Sequence, residues 1–141
     1  MLFHVDQNFC QALLKTQIYG SITGLCSSLD GIQLLTATDR GFIYRMRTSD
    51  FSKMLLCENH TDAVLDVFYM PGVSDKFSTC SEDGTIRLWD ANDYTVFARC
   101  QIVAQQGVHP NCSLFTDEVV ISGWSDGRIR SFKIEGSSPL W

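Results

Sequence analysis

Gly41, Gly84 and Gly127 stand 43 residues apart, each at the same point of a pattern in which two β-rich runs flank a short polar turn. The register extends past the glycines: LLTATDRGFIYRMR from Leu34, FSTCSEDGTIRLWD from Phe77 and VVISGWSDGRIRSF from Val119 superimpose around those turns. Leu34, Phe77 and Val120 share one position, and Thr36, Thr79 and Ser122 a second. Ile43, Ile86 and Ile129 share a third, and Met46, Trp89 and Phe132 a fourth. An Asp-Gly pair between β-rich runs is the strongest short-range hairpin signal, because glycine supplies the positive φ of a two-residue turn. The second and third copies carry that pair; the first has Arg40-Gly41. Upstream, FCQALL from Phe9 and FSKMLL from Phe51 match at an offset of 42. A chain written this way is a stack of similar units, none of which can bury its apolar face alone.

A period of about 40–45 residues ending in Trp-Asp, here Trp89-Asp90, reads as one four-stranded blade of a β-propeller. Alternation and turns predict strands over 22–28, 33–38, 42–47 and 52–58, then 63–69, 76–81, 85–90 and 95–101, then 108–115, 118–124 and 128–133. The chain enters inside a third strand (LFHVD aligns with YRMRT) and continues with a fourth at Phe9 to Lys15. The expected fold is therefore all-β, a partial propeller over residues 1–141 of about three blades of four antiparallel strands. Residues 1–17 end a preceding blade, 18–60 and 61–103 are blades, and 104–141 are an incomplete one. Closed propellers use about four to eight blades, so these strands should not close a ring alone. Either they are a piece of a longer propeller, or two copies pair head to tail, Phe9 to Lys15 of one completing the last blade of the other.

With 141 residues, 45% of them hydrophobic and 11% aromatic, the chain has ample material for a core. MLFHVDQNFCQALLK lacks a basic leader region and a clean apolar run, and no uncharged stretch approaches the 18 or so residues needed to span a bilayer. An intracellular protein is expected, with no membrane partner. The six cysteines, at 10, 26, 57, 80, 100 and 112, fall mostly inside predicted strands and are expected to be reduced, buried small hydrophobes. No C-x-x-C and no histidine pair at ligand spacing is present, so neither a metal nor another cofactor is expected. A net charge of −5 disfavours nucleic acid as a partner.

The middle repeat resembles a WD repeat. In that family a His before the first strand, a Ser or Thr in the second, an Asp in the following turn and a Trp in the third hold the blade together. Here these are His60, Thr79, Asp83 and Trp89. The resemblance implies a structural tetrad in which Asp83 holds His60, His60 bonds Thr79, and the Thr79 hydroxyl accepts from the Trp89 indole. The first repeat has Arg40 and Met46 at the Asp and Trp positions and Gly20-Ser21 near the expected His; the third keeps Ser122 and Asp126, replaces Trp by Phe132, and has His109 too late in the chain to serve. From Gly20 to Trp141, the runs GSITGLCSS, HTDAVLDVFYMPG and VVISGWSDGRIRSFKIEG resemble the central repeats of the cilia- and flagella-associated WD-repeat proteins. That resemblance implies a two-propeller component of axonemes lodged against tubulin inside the doublet microtubule.

A non-catalytic protein-interaction scaffold is the expectation these features support. The turns at Arg40, Asp83 and Asp126 should share one face, with Arg40, Glu82, Trp124 and Arg128 as its candidate interaction surface. A large aromatic beside an arginine is the composition of a binding hot spot; packing between blades is the equal alternative for Trp124. A ubiquitin-ligase substrate receptor is a competing adaptor reading, weakened because Asn92 stands where such proteins often carry Arg after Trp-Asp. For an enzyme, a thiol nucleophile would need a base, and His4, His60 and His109 bear no motif relation to any cysteine. The carboxylates Asp62 and Asp66, or Glu82 and Asp83, are explained by turns and surface.

Overall fold

The structure is a computed structural model that describes residues 11–56, 59–102 and 107–134. These residues are all-β. Four strands, β1 (Ile22–Ser27), β2 (Gln33–Thr38), β3 (Ile43–Arg47) and β4 (Lys53–Leu55), form a first antiparallel sheet in chain order. A second sheet repeats the meander with β5 (Val64–Tyr69), β6 (Lys76–Ser81), β7 (Ile86–Asp90) and β8 (Thr95–Cys100). The third holds β9 (Pro110–Phe115), β10 (Val119–Trp124) and β11 (Ile129–Lys133). These are partial propeller blades, and the described strands do not close a ring. No helix among the described residues is long and apolar enough to cross a membrane.

The strand expected at Phe9 to Lys15 is not found over residues 11–15, where no described strand lies alongside to complete a ladder. Phe9, Cys10 and the expected strand at residues 2–6 lie outside the described residues, as do Cys57 and Glu58.

The hairpin turns are longer than the Asp-Gly signal implies. Thr38 N–H donates to Phe42 O, Ser81 N–H to Thr85 O and Trp124 N–H to Arg128 O, so each loop holds three residues, not two. The glycine closes the loop at φ of 86°, 91° and 80° for Gly41, Gly84 and Gly127, the left-handed position after a type I turn. Glycine is still required, one step later in the turn. Gly41 has a second duty: its carbonyl accepts the His60 N–H at 3.1 Å, and a Cβ placed on it would stand 2.4 Å from the His60 carbonyl oxygen. The first sheet's turn is thus pressed onto the backbone that enters the second.

Apolar side chains alternate along the strands and meet between sheets. Leu35, Ala37, Ile43 and Leu56 of the first sheet pack on Val64, Val67, Tyr69, Phe77 and Trp89 of the second. On the far side Cys80, Ile86, Leu88 and Cys100 pack on Phe115, Val120 and Trp124 of the third. Polar groups cross the same seams: Leu29 N–H donates to Ser74 Oγ at 2.7 Å, and the Ser78 and Ser113 hydroxyls pair at 3.0 Å. The two outermost faces are uncovered. Ile129 is 80% exposed although its repeat equivalents Ile43 and Ile86 are fully buried, and Ile22 and Leu25 are exposed on the opposite side.

Cys80 and Cys100 are buried and Cys26 half-buried, and burial pushes the Cys26 and Cys80 thiols up to about 12. Cys112 departs from the expectation of burial: its side of β9 faces out of the seam and it is exposed.

Candidate functional site

His60 enters from the loop between β4 and β5, Thr79 sits at the middle of β6, Asp83 in the β6–β7 loop and Trp89 near the end of β7. Strand pairing puts Phe77 opposite Trp89 and Thr79 opposite Arg87, and the Phe77 and Trp89 rings stack at 5.4 Å with 10° between planes. From that position Trp89 Nε1–H donates to Thr79 Oγ1 at 3.0 Å. Thr79 Oγ1 lies 2.6 Å from His60 Nε2, and His60 Nδ1 lies 2.7 Å from Asp83 Oδ2. One protonation pattern satisfies every member: His60 neutral, its Nδ1–H donating to Asp83 and its Nε2 accepting from the Thr79 hydroxyl. Asp83 is held further by the Thr85 hydroxyl at 2.6 Å and backbone N–H at 2.9 Å, and the Arg87 guanidinium lies 3.6 Å away. Arg87 also donates to Asn59 O at 2.9 Å, so the strand next to the turn ties down the loop that delivers His60.

The electrostatics agree with a neutral imidazole. Burial lowers the His60 pKa from 6.5, outweighing the attraction of Asp83. For Asp83, burial acts upward but is overcome by hydrogen bonds from His60 and Thr85, and its carboxyl is held far below the usual carboxylate range. Both shifts carry the same sign in linkage. A depressed histidine contributes stability that is complete above its unfolded pKa near 6.5 and is lost as the pH falls from that value through the lower folded one. A depressed aspartate loses its contribution only below about 4. Urea unfolding is therefore expected to give constant stability from pH 8 to 7 and a decline as the pH falls below about 6.5, and a His60→Gln variant should lose that decline. A flat profile in the parent chain would contradict a neutral buried His60.

Residues 51–90 match the family model of the WD domain, G-beta repeat, and they carry this hydrogen-bonded chain from end to end, with its supporting residues Asn59, Thr85 and Arg87. The chain carries a WD repeat. It is similar to cilia- and flagella-associated protein 52, at 31% identity to the human protein over 90% of this chain and 30% identity to the Chlamydomonas reinhardtii protein over 86%. It is also similar to human WD repeat-containing protein 90, at 29% identity over 94% of this chain. The matched stretch makes up 21%, 20% and 8% of those three proteins, so the chain spans about a fifth of the length of its first relatives.

Outside the WD repeat of residues 51–90 the network is rebuilt with other groups. In the first sheet the Thr36 hydroxyl donates to Met46 Sδ at 3.7 Å, and Arg40 stands exposed with its guanidinium 5.5 Å over the Tyr19 ring. In the third, Ser122 accepts an indole N–H, but from Trp124 on its own strand, at 2.7 Å. Arg130 lies 4.8 Å over the Trp124 ring and makes a two-point bridge to Asp126 at 3.1 and 2.8 Å. Asp126, at the repeat position of Asp83, thus grips an arginine, and those hydrogen bonds hold its carboxyl below the usual range. His109 takes no part: its N–H donates to Ser125 Oγ at 3.0 Å, and its buried Nδ1 has no hydrogen-bond partner among the described residues.

Of the two readings left open for Trp124, the structure has packing between blades and not a place on the interaction surface. Trp124 is 4% exposed and packs between the second and third sheets, because its indole is drawn inward to Ser122 and against Phe132, 6.1 Å away. Arg40, Glu82 and Arg128 are exposed on equivalent turns. The sequence signal for Trp124 was present but unread: the third repeat loses its strand-three Trp and gains another two residues from the serine that needs an indole donor. Among the described residues no group of three or more His, Cys, Asp or Glu is placed to hold a metal ion.

Proposed function

We propose that this chain is part of a non-catalytic protein-interaction scaffold of the ciliary or flagellar axoneme, associating with doublet-microtubule tubulin. The observation that carries the scaffold reading is the closed account of the His60 network. Its imidazole, carboxylate and hydroxyl satisfy one another beneath the turns, which leaves them holding a blade and not poised over a cleft. The axonemal setting is supported by similarity to proteins named as cilia- and flagella-associated from a human and a green alga. Arg40, Glu82 and Arg128 are exposed at the turns and are among the residues this face offers to a partner. With a net charge of −5, docking on an acidic partner such as tubulin rests on local complementarity and not on long-range attraction. The uncovered Ile22 and Ile129 faces are met by further blades, from a longer chain or from a second copy.

Co-sedimentation of the full chain with isolated doublet microtubules tests this. Pelleting that falls when Arg40 and Arg128 are both changed to Glu supports the reading. Absence of pelleting at low salt, from a chain shown by circular dichroism to be folded, overturns the tubulin assignment.

A further inference from the structure

Between the first and second sheets, at the end away from the glycine turns, lies an open groove of about 200 Å³. Cys26, Phe68 and Tyr69 line it from the ends of β1 and β5, Leu29 from the β1–β2 loop, and Met70 and Val73 from the β5–β6 loop. All of this lining comes from the two sheets themselves, so the groove does not await a further blade. The two loops are tied together, Leu29 N–H donating to Ser74 Oγ at 2.7 Å. Burial pushes the Cys26 thiol and the Tyr69 phenol up, so the lining is uncharged. Leu29 is nonetheless 72% exposed, and Ile32 on the same loop 54%.

The surroundings of the groove are acidic. Three loops, residues 28–32, 70–75 and 91–94, are joined by the Leu29 bond and by Ala91 N–H donating to Asp75 O at 2.8 Å. They carry Asp30, Asp75 and Asp93, with Asp90 at the end of β7 beside them, and no Lys, Arg or His. Hydrogen bonds from Ser28 and Ile32 hold the Asp30 carboxyl below the usual range, and its charge is felt at the Tyr69 hydroxyl in the lining. Arg45, whose charge is also felt there, lies 5.0 Å over the Tyr94 ring. On the adjoining strands Lys76 is bridged to Asp117 at 3.2 Å and Arg47 has Asp50 beside it.

We infer that this groove receives one large apolar side chain of a partner protein, from a segment that carries Lys or Arg on both sides of it. The inference rests on the scaffold reading and adds a second partner, at the end of the sheets opposite to Arg40, Glu82 and Arg128. A recess of about 200 Å³ is smaller than the roughly 300–1,000 Å³ of small-molecule sites and suits a single anchoring residue. Covering Leu29 removes apolar surface from water on both partners, and Met70 adapts to the shape of what enters. The bond from Leu29 to Ser74 fixes the two sides of the groove in advance, which lowers the ordering cost of binding. Asp30 and Asp75 then select the residues that flank the anchor. Charge disfavours the other occupants: nucleic acid and anionic lipid meet these carboxylates, and a second copy of a chain of net charge −5 is repelled.

The test is fluorescence anisotropy of a labelled Ser/Gly dodecapeptide with a central Leu between pairs of Lys, titrated with the full chain, beside a counterpart with Ser at the centre. A Leu29→Ser/Asp75→Lys variant changes two exposed residues of the groove, and Asp62→Lys, exposed at the other end, is a control of equal charge change. Circular dichroism on all three proteins checks that they remain folded. The expected result is binding of the Leu peptide that exceeds that of the Ser peptide by about fivefold or more, weakens about tenfold or more in the groove variant and less than about threefold in the control, and falls with added salt. No binding of the Leu peptide overturns the inference, as do equal binding of the Ser peptide and equal weakening in the control. A dimer, seen by light scattering, that the groove variant dissociates would give the groove to a second copy and overturn it too. Doublet-microtubule pelleting separates the two readings: peptide binding without pelleting removes tubulin and keeps the groove, while pelleting without peptide binding removes the groove and keeps the scaffold.

Discussion

Replacing Trp89 by Ala is expected to destabilise the fold by about 3–5 kcal/mol, the range for emptying a buried large aromatic position. The side chain is fully buried and stacked on Phe77, and its indole N–H is the last donor in the chain that runs from Asp83 through His60 and Thr79. Two losses coincide in the alanine variant: the void between the first and second sheets, and the donor to Thr79. Trp89→Phe separates them. It keeps most of the ring stack and gives up the hydrogen bond, and should cost only about 1 kcal/mol beyond the volume change. Urea unfolding followed by circular dichroism measures both. Equal losses in the two variants would mean that the hydrogen bond, and not the buried ring, dominates.

The second large effect is expected at Gly41. All three turn glycines have positive φ, so alanine at any of them meets a left-handed penalty of about 1–2 kcal/mol. At Gly84 and Gly127 a new Cβ would meet nothing within 4 Å. At Gly41 it would fall 2.4 Å from the His60 carbonyl oxygen and 2.9 Å from that of Asp62, backbone atoms that cannot swing aside. Gly41→Ala is therefore expected to cost at least about 2 kcal/mol more than Gly84→Ala, because relief requires the first sheet to move off the second. Thermal and urea unfolding of the three alanine variants gives the comparison. Three equal losses would show that the turn of the first sheet does not bear on the His60 loop.

Much of this architecture could be read from the chain because β-strands alternate faces and the repeat keeps that alternation in phase. Ile43, Ile86 and Ile129 share a position, and the first two are fully buried. The third is exposed because burial belongs to the neighbouring sheet and not to the residue, and the described strands supply no neighbour there. His60, Thr79, Asp83 and Trp89 were legible as a set through the resemblance of the middle repeat to a WD repeat, whose four residue types stand there at the family's positions. The third repeat was not, because its network exchanges partners: an indole from β10 stands in for one from β11, and an arginine takes the place of a histidine beside Asp126. Position-by-position comparison misses a function that moves to the neighbouring strand. The second purpose of Gly41 was hidden for a related reason. A turn glycine looks the same in sequence whether it faces solvent or another backbone.

Gly41 and His60 also show that the unit that repeats and the unit that coheres are different. The sequence period counts Gly41 with the first sheet, yet its carbonyl receives the backbone of the residue that locks the second. The WD repeat of residues 51–90, copied elsewhere in the course of evolution or spliced by an engineer, would bring its histidine without the glycine that seats it. Inheritance of a working blade therefore needs a cut placed upstream of the preceding hairpin turn.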